Sequence, residues 1–412
     1  MRTTISLIIG LCTALIAPPV VAQVGIGNVQ IGVPDTGRVL DPVLDRTTRI
    51  ADRLDSDIRR LAEDRLHRLA RLVHRNRSIM GRDASGNLAR RGVLIAMGAD
   101  DEAIANAQSA GYAVNHRENL QELGLEIVTF VLPPRISLAD GQRQLRELMP
   151  RADVAADNLY FQAGDALEAP GAPQIITPAP AVRAITVGII DGAPTGAISV
   201  EKMQGFARGG GQPSDHGSAV ASLLRSVGVT RIKVADVYGT DPAGGNVMAI
   251  TRALAWLVNE GARVISISLV GPENIVLARA VAAARQRGTV IVAAVGNDGP
   301  ASPPVYPASY EGVVAVTAVD RRGRALIEAG RALHLDYSAP GADIYGMDRR
   351  GRTVRLRGTS YATPLTAARV AHAMASGANW RDALDREAID LGKRGADEVY
   401  GRGLVCRGCG QR

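Results

Sequence analysis

Residues 182–192 have the sequence Val-Arg-Ala-Ile-Thr-Val-Gly-Ile-Ile-Asp-Gly, an apolar run that ends in an aspartate and a glycine. The apolar part predicts a buried strand from Ala184 to Ile190. Similar runs recur downstream and alternate with helical patterns. The further strands are expected at Ile232 to Tyr238, Val264 to Leu269, Thr289 to Val295 and Val313 to Ala318. This alternation predicts an α/β fold, a parallel sheet with helices on both faces.

Helices are expected between these strands and after the last of them, at Gly217 to Val227, Asn246 to Glu260, Asn274 to Gln286 and Thr363 to Ser376. In sheets of this kind, functional sites lie beyond the carboxyl ends of the strands. Asp191 and Asn297 each fall just past such an end. The predicted fold therefore brings two polar side chains to one edge of the sheet.

Three reactive side chains occur in the order Asp191, His216 and Ser360, each among small residues. Their surroundings are Ile-Ile-Asp-Gly, Asp-His-Gly-Ser-Ala and Gly-Thr-Ser-Tyr-Ala-Thr-Pro. A serine hydroxyl becomes a nucleophile at neutral pH when an imidazole takes its proton. The imidazole in turn needs a carboxylate to fix its tautomer and stabilise its charged form. The ordered set therefore indicates nucleophilic catalysis.

Taken singly, each of these residues has a structural explanation. Ser360 could cap a helix, His216 could lie on the surface at a helix start, and Asp191 could form a turn. Asn297 lies in Val-Gly-Asn-Asp-Gly-Pro, where it could serve a turn or donate to a developing negative charge. His372 falls on the interior stripe of a helix, which favours core packing.

The N-terminus has the features of a secretory signal. Arg2 precedes the apolar run Ile5 to Ala17, and Val-Val-Ala ending at Ala22 resembles a cleavage site. The run is too short to span a bilayer, so stable membrane insertion is not expected. We expect residues 1–22 to be removed and the protein to be secreted or periplasmic. In that setting Cys406 and Cys409 are expected to form a local disulfide.

Residues 23–90 are expected to form a flexible lead followed by an Arg-rich amphipathic helix from Asp45 to about Met80. Acidic residues alternate with its arginines, which favours packing against a neighbouring domain over binding to a membrane surface. The chain has a net charge of +7. Aromatic residues are scarce and no nucleic-acid motif occurs, so nucleic-acid binding is not expected.

Residues 91–162 alternate strand and helix signals in the order β-α-β-β-α-β, which predicts a small ferredoxin-like α+β domain. Asp100 and Ser137 are its candidate helix caps. Residues 163–181 are rich in Ala, Gly and Pro and are predicted to be a linker. Residues 182–412 form the large domain.

Together these segments resemble the subtilisin-like serine peptidases from about Val182 to Ser376. The most specific motif is the seven residues Gly358 to Pro364, and the segments around Asn297 and Pro307 are similar too. The resemblance implies that Ser360 is the nucleophile, His216 the general base and Asp191 its orienter, with Asn297 an oxyanion donor. Ser268, Leu269, Val270 and Gly271 match the segment that binds substrate backbone and lines the first specificity pocket. The ferredoxin-like region resembles the family's inhibitory prodomain.

The sequence departs from the family pattern at three places. Gly192-Ala193 follow Asp191 where the family usually has Ser or Thr and then Gly, so a hydroxyl that helps to hold the carboxylate is missing. Ser218-Ala219 stand where the family usually has Thr and His. Val270 occupies a usual glycine position, and we expect it to narrow the pocket and disfavour large aromatic side chains.

The sequence therefore predicts a secreted serine endopeptidase, made as a zymogen that cleaves itself between Gln162 and Pro170. Its expected partners are protein or peptide substrates and its own prodomain as intramolecular inhibitor and chaperone. No calcium-loop motif occurs, so no metal or cofactor is expected. Two alternatives remain open: a catalytically silent binding protein that keeps its prodomain, and a relative that acts on esters or transfers acyl groups.

Overall fold

The computed structural model describes residues 56–163 except 58 and 62, residues 167–170 and residues 182–410. All of them belong to one unit that runs from Leu54 to Arg412. The expected signal segment, residues 1–22, and the expected flexible lead lie outside the described residues. No helix within the described ranges is long and apolar enough to cross a membrane.

The first described element is helix α1, residues 56–75, which ends about five residues before the predicted end at Met80; the predicted start at Asp45 lies outside the described residues. Asn76 ends it, because both its backbone N–H and its side-chain amide donate to the carbonyl oxygen of Leu72, at 3.2 and 3.0 Å. The chain then enters a short strand at Met80, where the amphipathic pattern had predicted helix.

A five-stranded antiparallel sheet with two helices follows. Its elements are β1 (Met80–Arg82), β2 (Leu88–Met97), α2 (Asp101–Ser109), β3 (Ala113–Leu120), β4 (Leu125–Val131), α3 (Leu138–Leu148) and β5 (Asp153–Asn158). The four long strands have the spatial order β3-β4-β2-β5. Asp100 and Ser137 cap the two helices, as their sequence positions predict. The helices pack on the sheet over a core that includes Leu94, Phe130 and Leu145.

The segment predicted as a linker contains strand structure. The strand β7 (Leu167–Pro170) lies within it, and the strand β6 (Phe161–Gln162) immediately precedes it, in the last two residues of the predicted prodomain. Both pair with strands of the large domain rather than with each other. Such non-local pairing has no local sequence signal, which explains why the composition predicted only a linker.

The large domain contains the predicted parallel sheet, and it has seven strands. Its elements are β8 (Val182–Asp191), β9 (Lys202–Gly205), α4 (Asp215–Ser226), β10 (Val229–Asp236), α5 (Val247–Asn259), β11 (Val264–Ile267), β12 (Leu269–Val270), α6 (Ile275–Gln286), β13 (Val290–Ala294), β14 (Val314–Val319), β15 (Tyr337–Pro340), β16 (Ala342–Met347), β17 (Thr353–Arg357), α7 (Thr359–Ala375) and α8 (Trp380–Glu387). The sheet order is β15-β14-β13-β11-β8-β10-β9, with every neighbouring pair parallel.

Helices cover both faces of this sheet, as predicted. Helices α4 and α7 share one apolar core with the sheet, and α5 and α6 share another on the opposite side. Because nearly all of these side chains are fully buried, each large aliphatic one contributes roughly 1.5–3 kcal/mol to folding. The interior strand β8, which has a neighbour on each side, therefore holds its last residue, Asp191, at a fixed point.

The C-terminal residues 404–410 pack against the core that α4 and α7 share with the sheet. Cys406 and Cys409 form the predicted local disulfide, with their Cα atoms 5.4 Å apart. The backbone N–H of Tyr345 in β16 donates to the carbonyl oxygen of Gly410 at 2.9 Å. The tail thus closes the side of the molecule that carries α4 and α7.

Candidate active site

Asp191 and His216 meet at the carboxyl end of β8. Both are buried, and His216 Nδ1 lies 2.9 Å from each carboxylate oxygen of Asp191. A carboxylate only accepts hydrogen bonds, so the proton resides on Nδ1 and leaves Nε2 as an acceptor. This is the tautomer that a general base requires.

Close backbone approach holds this pair together. Helix α4 begins at Asp215, capped by Ser214, whose hydroxyl accepts from the Gly217 N–H at 3.0 Å. A Cβ at Gly217 would lie 2.0 Å from the carbonyl oxygen of Gly192. Only glycine at 217 lets the first turn of α4 reach the end of β8. The helix was expected to begin at Gly217, after His216. It begins at Asp215 instead, so His216 is its second residue.

Ser360 lies in the first turn of α7, which begins at Thr359. Its side chain is fully buried, and its Oγ has no hydrogen-bond partner among the described residues. The same holds for Nε2 of His216 within those ranges. The ring of Tyr361 lies 5.5 Å from the His216 ring, so the first turns of α4 and α7 converge. The nucleophile and base candidates are thus close in the fold, each with its reactive atom unsatisfied.

Helix α7 starts four residues before the expected start at Thr363, which would have put Pro364 in the first turn. Because α7 starts at Thr359, Pro364 is in the second turn, and it lacks the N–H that would donate to the carbonyl oxygen of Ser360. The hydroxyl of Ser268 donates to that oxygen instead, at 2.8 Å. The serine backbone is therefore held from the substrate-binding segment.

Asn297 follows β13 and bridges to the same helix. Its Oδ1 accepts from the backbone N–H of Thr359 at 2.9 Å, which fixes the orientation of the amide. Its Nδ2 therefore points away from Thr359 and donates to the carbonyl oxygen of Ala163 at 2.5 Å. An amide fixed in this way is suited to stabilise negative charge on that oxygen.

The chain's own residues 160–163 occupy the cleft as an extended strand. β6 pairs antiparallel with β12, with Gln162 opposite Leu269 and Phe161 opposite Val270. The Ala163 N–H donates to the carbonyl oxygen of Ser268 at 2.9 Å. All four residues of the predicted substrate-binding segment, Ser268 to Gly271, thus lie along or beside this strand.

The side chain of Ala163 fills a small apolar pocket. It is 2% exposed and packs with Val270, Ala294 and Val305. Val270 therefore lines the pocket that the sequence predicted it to narrow.

On the other side of the site, β7 pairs with β17, the strand that leads into Gly358.

The ferredoxin-like sheet is fastened to two helix N-termini of the large domain. The Met248 N–H at the start of α5 donates to Asp157 Oδ1 at 3.0 Å. The side chain of Asn274, the N-cap of α6, donates to the carbonyl oxygen of Ala156 at 3.0 Å and to Asn158 Oδ1 at 2.8 Å. Burial raises the pKa of Asp157 to about 6, although the Met248 N–H and Arg90 act in the opposite direction.

Helix α1 lies over the occupied cleft. Arg65 Nε is 2.9 Å from Asp298 Oδ2, and Arg68 pairs with the other carboxylate oxygen of Asp298, the residue next to Asn297. Leu69 and Leu72 pack into the same apolar cluster as Phe161 of β6. A cavity of about 1030 Å³ remains between α1, β6 and the Asn297 loop.

The two other histidines of the large domain have structural partners. His334 Nε2 lies 2.9 Å from the carbonyl oxygen of Val313, and His372 Nε2 lies 2.8 Å from that of Val227. His372 packs within the fold as predicted. Neither belongs to the cleft.

The sequence did not single out Gln162 or Ala163. Gln162 Nε2 donates to Asp191 Oδ1 at 3.1 Å, and Ala163 occupies the pocket. One sequence signal could have pointed to Ala163. Val270 predicts a narrow pocket, and Ala163 is a small residue directly after the predicted prodomain that would fit it.

The sequence matches the model of the subtilase family over residues 208–403, a range that includes His216, Asn297 and Ser360 but begins after Asp191. Subtilisin BL from Lederbergia lenta is 32% identical over 208 residues, which cover 48% of this chain and 76% of that protein. The minor extracellular protease Epr from Bacillus subtilis is 27% identical over 196 residues, covering 46% of this chain and 30% of Epr.

Among solved structures, fervidolysin from Fervidobacterium pennivorans, a keratinolytic enzyme related to subtilisin, superposes with a TM-score of 0.64. Its sequence identity is 17%, and the alignment covers 78% of this chain and 61% of fervidolysin, so it shows the shared fold. The similarity to subtilisin BL extends over most of that protein's length and carries the family assignment. The chain therefore belongs to the subtilase family and is a subtilisin-like serine endopeptidase.

Proposed function

We propose that Asp191, His216 and Ser360 form the catalytic triad and that Asn297 is an oxyanion donor. His216 Nε2 takes the hydroxyl proton of Ser360 as Oγ bonds to the carbonyl carbon of the substrate. Asn297 Nδ2 and the Ser360 N–H, at the positive end of α7, stabilise the charge that develops on the oxygen. Asp191 holds the Nδ1 proton of His216 and stabilises the imidazolium.

The enzyme's first substrate is its own chain, cut after Ala163. The observation that carries this proposal is the position of the Ala163 carbonyl, whose oxygen accepts from Asn297 Nδ2 at 2.5 Å while its N–H bonds to Ser268. An oxyanion donor must meet the oxygen of the bond that is cut. Within the range from Gln162 to Pro170, this geometry favours the bond between Ala163 and Gly164.

Self-cleavage conserves protons as follows. His216 gives the proton taken from Ser360 to the departing amine of Gly164, and an ester between Ser360 Oγ and Ala163 remains. Water then attacks this ester while His216 accepts a proton from the water. The ester breaks, Ser360 regains its proton from His216, and Ala163 leaves as a carboxylic acid that then gives its proton to solvent.

After the cut, the N-terminal part acts as an inhibitor. The product strand stays paired with β12, and the contacts of Asp157 and Asn158 with the starts of α5 and α6 are independent of the severed bond. The zymogen proposal, with residues 91–162 as the prodomain, rests on these contacts. Secretion rests on the signal-like residues 1–22, on the disulfide and on similarity to a relative named as an extracellular protease.

The pocket around Ala163 indicates which substrates the mature enzyme takes. Val270 and Val305 leave space for a methyl group, and a substrate strand adds to β12 through backbone bonds. We therefore infer a preference for extended polypeptides with a small side chain immediately before the cut.

Mass spectrometry of the secreted wild-type and Ser360→Ala proteins tests the proposal. The wild type should yield a mature chain that begins at Gly164, and Ser360→Ala should remain uncut after Ala163. Normal processing of purified Ser360→Ala would refute self-cleavage. A fluorophosphonate probe that labels the wild type at Ser360 would in addition exclude a catalytically silent protein.

A further inference from the structure

The carboxylate of Asp191 accepts hydrogen bonds from the occupied cleft as well as from its own domain. The residue after it, Gly192, has no side chain and so offers only its backbone N–H. Asp191 Oδ1 accepts from the Gly192 N–H at 2.7 Å and from Gln162 Nε2 at 3.1 Å. One of the donors that hold this carboxylate therefore comes from the strand that occupies the substrate cleft.

The protein cannot easily supply this donor from position 192. A Cβ on Gly192 would lie 2.4 Å from Ser214 Oγ, the cap of α4, and 3.6 Å from Gln162 Nε2. Any side chain at this position would displace the cap that places His216. Asp191 Oδ1 is thus accessible to a side chain of a bound strand. The residue that can reach it is the one immediately before the residue that fills the apolar pocket.

Strand geometry directs that residue toward the triad. Side chains alternate along an extended strand, so when Ala163 enters the pocket, Gln162 points the other way. The carboxylate accepts only, so the NH₂ end of the Gln162 amide must face it. The contact therefore selects a donor of about the length of glutamine.

We propose that the substrate completes the Asp191 site: a glutamine one residue before the pocket residue donates to Asp191 and holds the carboxylate that orients His216. The preferred substrates are polypeptides with Gln followed by a small residue before the cut. This inference rests on the proposed function and adds a positioning group that the enzyme lacks.

The test uses wild-type mature enzyme, obtained by processing of the full chain, and peptides that copy residues 158–163 with their natural continuation. Three peptides have Gln, Met or Glu at the position of Gln162. Met has a similar shape without a donor, and Glu replaces the donor by an acceptor. A control peptide has Met at the position of Phe161, whose side chain packs away from Asp191 in the cluster with Leu69 and Leu72.

We expect kcat to fall about ten- to a hundredfold with Met and further with Glu, because the Asp191 carboxylate loses a charge-assisted hydrogen bond. The control peptide should change KM and leave kcat unchanged.

Equal kcat values for the Gln and Met peptides would overturn the inference, as would a difference confined to KM. These results leave the proposed function intact, because they require that peptides are cut. Absence of Ser360-dependent cleavage of every peptide would instead refute the proposed function. The precursor variants Gln162→Met and Gln162→Glu give a second measurement, the rate of self-cleavage, which should fall in the same order.

Discussion

The hydroxyl of Ser268 donates to the carbonyl oxygen of Ser360 at 2.8 Å, and it replaces the helix hydrogen bond that Pro364 cannot make. The carbonyl oxygen of the same Ser268 accepts from the Ala163 N–H at 2.9 Å. Ser268 thus contacts both the backbone of the proposed nucleophile and the residue before the proposed cut. The proline leaves a buried acceptor at Ser360, and Ser268 of the predicted substrate-binding segment donates to it.

We predict that Ser268→Ala lowers the free energy of unfolding by about 1–3 kcal/mol, because the Ser360 carbonyl is left buried without a donor. Pro364→Ala should recover part of this loss in the double variant, since residue 364 can then donate through its backbone N–H. Urea unfolding in a Ser360→Ala background, which avoids self-cleavage, measures both. Additive effects of the two substitutions would contradict the shared acceptor.

Gly358→Ala should impair catalysis with little loss of fold. Gly358 has φ of +143°, and a Cβ there would lie 2.6 Å from Asn297 Nδ2. Displacing this donor should reduce the self-cleavage rate by about 10²–10³, as expected for loss of one oxyanion donor. The control is Gly377→Ala, which also has positive φ but no atom within 4 Å of the added Cβ. A slowed Gly377→Ala would point to backbone strain as the cause.

The parallel sheet and its helices were predictable because each buried strand is a continuous apolar run. The ends of those runs also predicted where Asp191 and Asn297 lie. The start of α7 was not predictable: the N-cap is Gly358, which makes no side-chain capping bond, so the apolar pattern indicated a later start. That error moved Pro364 into the first turn and concealed the role of Ser268.

From the sequence alone, the proposed cleavage position could be given only as a range. Composition distinguishes the prodomain from the linker, but not which carbonyl meets Asn297. That choice depends on the register of β6 on β12 and on the fit of Ala163 beside Val270, and both are non-local. The hydrogen bond from Gln162 to Asp191 could not be predicted for the same reason. The sequence showed only that Gly192 lacks a hydroxyl that could hold the Asp191 carboxylate.

Val270→Gly should widen the pocket. Val270 packs on Ala163 together with Ala294 and Val305, so removing its side chain makes room for larger residues before the cut. Relative kcat/KM for Leu over Ala at that position should rise about tenfold or more, the value of one or two buried methylenes. A peptide library measures it, and an unchanged profile would mean that other residues limit the pocket.

Binding of the cleaved prodomain should weaken as pH rises from about 4 to 6. Burial raises the pKa of Asp157 in the interface to about 6 from a value near 3.8, so the complex favours the protonated form. Its contribution is full below the lower pKa and is lost as pH rises through the upper one, about 100-fold in affinity. Arg90, Arg252 and Asp241 face this group.

The variant Asp157→Asn isolates this effect. It keeps an oxygen that can accept from the Met248 N–H but does not titrate. Its prodomain affinity should therefore vary less over this pH interval than that of the wild type, as measured by inhibition of the mature enzyme after cleavage. Parallel pH profiles for the two proteins would assign the dependence to other interface groups.

Latency after cleavage should depend on the ion pairs between α1 and Asp298. Arg65 and Arg68 both contact this carboxylate beside Asn297, and α1 packs on Phe161 of the product strand. Arg65→Ala/Arg68→Ala should shorten the lag before activity appears about tenfold, because it leaves Asp298 unpaired at a closed interface.

The matched control, Arg71→Ala/Arg75→Ala, removes the same charge from arginines of α1 that form no ion pair with a described residue. All of these proteins yield the same mature enzyme, so a different lag reflects only release of the N-terminal part. High salt should shorten the wild-type lag and have less effect on the Arg65/Arg68 variant. Equal lags for the two double variants would mean that total charge, and not the Asp298 contact, holds α1 over the cleft.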